Sequence, residues 1–146
     1  MPSAKILIVE DNEADVVLFR CALDDRREDY ELIVLADGEE AVRFVEEQRL
    51  SPQTYEPCVI LVDLHLPKQD GLEVLRAIRR EPVLEKIHVI LLASAASPQE
   101  QAEVKALGGD FRLKPATLDE IFQFAAYVME ICKGFNAAVQ SPMASM

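Results

Sequence analysis

Four apolar runs rich in Val and Ile recur along the chain: Ile6-Leu7-Ile8-Val9, Leu32-Ile33-Val34-Leu35, Val59-Ile60-Leu61-Val62 and Val89-Ile90-Leu91-Leu92. A weaker fifth, Phe111-Arg112-Leu113, follows them. The four show no alternation of polar and apolar positions, as expected of strands covered on both faces. Between the runs the period becomes helical. Apolar faces form at Val16, Phe19 and Leu23, at Ala41, Phe44 and Val45, and at Ile121, Phe124, Ala125 and Val128. The helix after Ser97 is apolar only at Ala102, Val104, Ala106 and Leu107, so it should be the least firmly anchored.

The helix starts are marked by capping patterns. Asp37, Asp70, Ser97 and Thr117 each stand three positions before a glutamate, and Pro98 occupies a favoured first helical position. Asn12, with Asp15 three residues on, caps the first helix more loosely. Residues 49–57 read as a surface loop, and everything after Gly134 reads as a loose tail. Five βα units in succession imply one parallel sheet with helices on both faces and right-handed crossovers. The common five-strand solution is the flavodoxin-like, doubly wound (βα)5 sheet of order 2-1-3-4-5. Its ligand crevice lies at the carboxyl ends of strands 1 and 3.

Strand 1 ends in Glu10-Asp11 and strand 3 in Asp63, so three carboxylates should converge at that crevice. Two such charges about 4 Å apart repel by roughly 4 kcal/mol at an effective dielectric near 20. Shared protons or a hard divalent cation such as Mg²⁺ would offset this. With 26 Asp and Glu in the chain, any one of these acids is unremarkable alone; their placement is the specific signal. Strand 5 ends on the same edge in Lys114-Pro115, where a lysine can balance the acids or meet a phosphate. The X-Pro bond there makes a cis peptide an alternative to the commoner trans form.

Composition narrows the picture further. Of 146 residues, half are hydrophobic, enough for a core without disulfide or metal staples. The formal net charge of -11 argues against nucleic acid and anionic membrane surfaces as partners. No apolar run is long enough to span a membrane, and no signal peptide precedes the first strand. Cys21, Cys58 and Cys132 match no metal spacing and read as separate small hydrophobes in a reducing cytoplasm. A single acidic cytoplasmic domain is the expectation.

The ordered set Ile8-Val9-Glu10-Asp11-Asn12, Val62-Asp63-Leu64-His65-Leu66-Pro67 with Asp70-Gly71, and Leu113-Lys114-Pro115 resembles the receiver domain of two-component response regulators. The stretch from Asp63 to Ile78 and the segment Glu81-Pro82 to Lys86-Ile87 look most like the single-domain regulators that serve bacterial phytochrome kinases. The resemblance covers about residues 5–133. It implies that Asp63 is the phosphoacceptor, with Lys114 binding an oxygen of the phosphoryl group. Asp11, Asp63 and the backbone carbonyl of His65 would hold Mg²⁺, and Glu10 would act through a metal-bound water. The donor would be a phosphohistidine on a sensor histidine kinase. The imidazole of His65 is expected in solvent beside the site, and His88, at the far end of the sheet, is expected to be structural. Phe111 matches a movable aromatic of the family.

One position departs from the pattern. Receivers normally end strand 4 in Thr or Ser, and counting back from Lys114 places Ala93 there if the turn at Leu107 to Asp110 is one residue short. Ser94 follows, but adjacent strand side chains face opposite ways, so it substitutes only if the strand end is bulged. The phosphorylation chemistry is expected to be intact, with the read-out altered at Ala93, Ser94 and Phe111.

The leading expectation is therefore a receiver over residues 1–134 with a tail at 135–146 and no output domain. It would not be a turnover enzyme, beyond its own phosphorylation and slow dephosphorylation. A phosphorylation-independent interaction module on the same scaffold is the alternative. An aspartate-nucleophile phosphatase ranks below both, because Asp63-Leu64-His65 lacks the second acid of a DxD pattern. The uncharged stretch at 134–139 beside an apolar last helix suggests a homodimer through helix 4, strand 5 and helix 5.

Overall fold

The computed structural model describes residues 4–50 and 57–140, with side chains through Asn136. Most of the expected 49–57 loop and the end of the expected tail thus lie outside the described residues. The elements alternate as β1 (Ala4–Val9), α1 (Glu13–Asp25), β2 (Tyr30–Leu35), α2 (Gly38–Leu50), β3 (Val59–Asp63), α3 (Gly71–Arg80), β4 (His88–Ala93), α4 (Pro98–Ala106), β5 (Asp110–Leu113) and α5 (Leu118–Gln140). All strands are parallel in the order β2-β1-β3-β4-β5. This is the flavodoxin-like sheet that the alternation of apolar runs requires.

Successive strand residues feed two cores. Ile6, Ile8, Leu61, Ile90 and Leu92 pack with Phe19 and Leu23 of α1 and with Ala125 and Val128 of α5. Leu7, Val9, Ile60, Val62, Val89 and Leu91 pack with Ala41 and Val45 of α2, Leu75 and Ile78 of α3, and Val104 of α4. All five residues of β3 are buried, which explains the absence of alternation in the central runs. Val104 is the one buried residue of α4, so that helix has the thin footing its sequence implied.

The caps form as read. Asn12 accepts from the amides of Ala14 and Asp15, and Asp70 accepts from the amide of Glu73. At Ser97 both halves of the capping box close. At α2 and α5 the glutamates reach instead to the amides of Ala36 and Ala116, one residue before the cap. Arg79, which the sequence did not single out, donates to the carbonyls of Leu107 (2.8 Å), Ile87 (3.0 Å), Gly108 (3.0 Å) and Glu85 (3.2 Å). It ties the end of α3 to the entry of β4 and to the turn after α4.

Three expectations are corrected. First, Cys58 and Cys132 form a disulfide, with their Cα atoms 5.1 Å apart at a sequence separation of 74. Helix α5 packs across the sheet and brings the entry of β3 under Cys132, an adjacency that sequence spacing hides. Cys21 is the free, exposed cysteine. Second, α5 runs through Gly134 to Gln140, beyond the boundary placed at 134. One glycine costs a helix only about 1 kcal/mol relative to alanine, too little to stop one this apolar. Third, there is no cis peptide among the described residues, Lys114-Pro115 included. The Lys114 amide stays in the ladder, donating to the Ala93 carbonyl at 2.9 Å, and its side chain needs no unusual backbone to reach the crevice.

A disulfide closing so long a loop restricts the unfolded chain, and such bridges typically contribute about 2–4 kcal/mol. Reduction, or Cys58→Ser, is expected to lower the thermal midpoint by several degrees. Identical melting curves with and without dithiothreitol, after a thiol count confirms reduction, would contradict this.

Candidate functional site

The site is assembled at the carboxyl edge of β1, β3 and β5. In the 2-1-3-4-5 order β1 and β3 pair directly, with Val9 beside Val62, so the residues that follow them face one another. Glu10, Asp11 and Asp63 each offer a carboxylate oxygen, and the three lie within 4.8 Å of one another. Glu10 and Asp63 are buried, while Asp11 is exposed at the mouth. The chain turns sharply after β3, and Gly71 is needed at the start of α3, since a Cβ there would lie 2.6 Å from the Asp63 carbonyl oxygen.

Lys114 closes the cluster from β5. Its Nζ is 2.9 Å from Glu10 Oε1, 3.1 Å from Asp63 Oδ2 and 3.1 Å from Asp15 Oδ2. The other Asp63 oxygen, Oδ1, accepts from the His65 amide at 3.0 Å. Burial, and next a hydrogen bond with Asp63, pushes the Glu10 carboxyl up to about 7, against the opposing pull of Lys114. For Lys114 burial is the largest influence and lowers its pKa. Hydrogen bonds to Glu10, Asp63 and Asp15 together overcome it and hold the ammonium above the usual lysine range.

Asp15 is the member that the sequence reading missed. It sits in the first turn of α1, where Asn12 holds its amide at 3.2 Å, and that cap aims its carboxylate back over the crevice. An acid three residues beyond a cap beside the site is the available signal, and helix capping alone already accounts for it in the sequence.

The remaining candidates lie around this core. The His65 imidazole is exposed as expected, yet it is not free: Nε2 is 3.1 Å from Glu100 Oε2. Ala93 is buried at the end of β4, in register with Leu113, and Ser94 is exposed in the bend beyond it. Phe111 is half-buried against the core of the α3–α4 face. His88 lies at the entry of β4, 2.9 Å from Asp110 Oδ2, and Asp110 also accepts from Tyr127 and Arg112, which gives His88 a structural place. Beside the acids, Leu18, Phe19, Ile121 and Phe124 line an apolar recess between α1 and α5.

Residues 6–126 match the family model of the response regulator receiver domain. The chain belongs to the receiver family of response regulators. The receiver is 42% identical over 94 residues to response regulator Rcp1 of Synechocystis, a match covering 64% of each chain. It spans less than two thirds of the length of the first curated relatives it matches. Among solved structures, the phosphorylated cyanobacterial phytochrome response regulator RcpA superposes with a TM-score of 0.80 at 32% identity, covering 90% of this receiver and 95% of that chain. The Mn²⁺-bound form of Rcp1 superposes with a TM-score of 0.75 at 33% identity, covering 87% and 92%.

The donor set of this receiver, three carboxylates converging from two strand ends, is all oxygen and strongly negative. It fits a divalent metal ion. No helix among the described residues is long and apolar enough to cross a membrane.

Proposed function

We propose that this receiver is the phosphoacceptor of a two-component relay, phosphorylated on Asp63 by a sensor histidine kinase with Mg²⁺. The observation that carries this is the setting of Asp63, a buried carboxylate with one oxygen on the His65 amide and the other on Lys114, inside a cluster able to hold a cation. A carboxylate oxygen of Asp63 bonds to phosphorus as the donor's N–P bond breaks, and the leaving imidazole keeps the bonding pair. Lys114 passes from the carboxylate to an oxygen of the arriving phosphoryl group, so the ammonium is never without an anion. Glu10, Asp11, Asp63 and the His65 carbonyl would hold the Mg²⁺, Glu10 through a water, and the ion would supply positive charge to neutralise the phosphoryl oxygens. Catalysis is thus mostly positioning. The protein acts in the cytoplasm, where such kinases present their phosphohistidine. The likeness to the phytochrome response regulator RcpA favours a phytochrome-type kinase as donor.

Incubation with acetyl phosphate and Mg²⁺, followed by intact mass, tests the reading. One added phosphoryl group supports it. No addition at any Mg²⁺ concentration would leave the scaffold as a phosphorylation-independent interaction module, which the buried Ala93 otherwise favours.

Two outcomes follow from neighbouring positions. A Thr hydroxyl at 93 would bond the phosphoryl group, and a charge-assisted bond contributes about 1.5–3 kcal/mol. Ala93→Thr is therefore expected to enlarge the change that beryllofluoride, a phosphoryl mimic, produces in the Ser94–Ser97 segment and at Phe111. Amide NMR of both proteins reads this, and equal changes would show that Ser94 or another group already supplies the bond. A homodimer is expected through α4, β5 and α5, where Leu113, Leu118 and Phe122 are exposed. A monomeric mass in light scattering at tens of micromolar, with and without beryllofluoride, would refute it.

A further inference from the structure

We propose that His65 is a positioning residue that couples Asp63 to helix α4 through Glu100, a route independent of the end of β4. This rests on Asp63 being the phosphoacceptor. One residue carries both ends of the link. The His65 amide donates to Asp63 Oδ1 at 3.0 Å, and its imidazole Nε2 stands 3.1 Å from Glu100 Oε2. The second oxygen of the same carboxylate, Glu100 Oε1, accepts from the Ser97 amide at 2.9 Å, and the Glu100 amide donates to Ser97 Oγ at 3.1 Å. An unbroken run of contacts therefore joins the phosphoacceptor to the cap of α4.

Both ends of this run can respond. When an Asp63 oxygen is esterified, the carboxylate loses its charge, and a neutral acyl oxygen is a weaker acceptor for the His65 amide. A small shift of that peptide is carried outward by the ring attached to it. At the other end α4 keeps one buried residue, Val104, so its first turn is held chiefly by the cap that Glu100 completes. Ala93, buried and without a hydroxyl, has no side-chain group to hydrogen-bond toward the site; its polar contact there is the backbone ladder bond from Lys114. The side-chain bridge thus stands where a strand-end hydroxyl would otherwise have to do this.

Wild type, His65→Ala, His65→Gln, Glu100→Ala and the double alanine variant would be compared by amide NMR at saturating beryllofluoride and Mg²⁺. Saturation is judged from the Leu64 and Lys114 amides. In the wild type those amides and the α4 amides of Gln101 to Ala106 should all shift. His65→Ala is expected to remove at least half of the α4 shift. His65→Gln, whose amide can still donate to Glu100, should restore it. The double variant should lose no more than His65→Ala alone, since the two residues act as one link. A wild-type-sized α4 shift in His65→Ala, or additive losses in the double variant, would overturn the coupling. Still Leu64 and Lys114 amides in the wild type would instead overturn the phosphoacceptor reading on which it rests.

Discussion

Asp63→Asn is expected to reduce Mg²⁺-dependent labelling by acetyl phosphate to background while the protein stays folded. The amide keeps the shape of the side chain and an oxygen to accept from the His65 amide, but a carboxamide is not a nucleophile at neutral pH. The variant also takes one charge out of a cluster in which three carboxylate oxygens lie within 4.8 Å. Less repulsion then opposes folding, and Lys114 keeps Glu10 and Asp15 as partners. Thermal stability should therefore be unchanged or higher. Labelling of the variant at the wild-type rate would place the acceptor elsewhere. A large loss of stability would show that the negative charge at 63 is needed for folding.

The second large effect is expected at Lys114, in metal-free buffer. Lys114→Met keeps an unbranched apolar stem but leaves the buried carboxylates of Glu10 and Asp63 without a cation. Removing one partner of a buried ion pair typically costs about 3–5 kcal/mol. That loss should appear in full in alkaline buffer and shrink in mildly acidic buffer, because Glu10 can escape by taking a proton. Its folded pKa is already raised from 4.5 to about 7, chiefly by burial. A raised pKa means that the native state binds a proton the unfolded chain releases. Its contribution is present below 4.5 and is lost as pH rises through about 7. Without Lys114 the pKa should rise further and the dependence extend to higher pH. Added Mg²⁺ should recover part of the loss. Urea titrations across this range would read all three effects, and a pH-independent loss would remove Glu10 from the account.

The fold was readable because four of the five strands are built on nearly pure apolar runs and each helix opens on a capping residue. Those signals are local, and both classes formed where expected. The site was readable because topology converts three separated strand ends into neighbours. Glu10, Asp11, Asp63 and Lys114 needed only the strand order to be brought together. What escaped depends on the packing of helices over the sheet. Asp15 enters the site only through the tilt of the first turn of α1. Cys58 and Cys132 meet because α5 crosses the sheet over the entry of β3. Arg79 and the His65–Glu100 pair join loops that no periodicity relates. Gly134 misled in the opposite direction, since a local breaker was outweighed by the helix around it.

The bridge between Cys58 and Cys132 makes the chain a closed ring with two free arms, and the site straddles the boundary. Asp63 and Lys114 both lie inside the ring, whereas Glu10, Asp11 and Asp15 lie on the N-terminal arm. If the protein is stretched from its two ends, the ring cannot lengthen. The oxidised molecule should fall short of the reduced one by roughly 250 Å at full extension, from a reach of about 3.3–3.6 Å per residue over the enclosed segment. The first mechanical event would peel the acids of the arm away from a lysine and an aspartate that stay covalently leashed to each other.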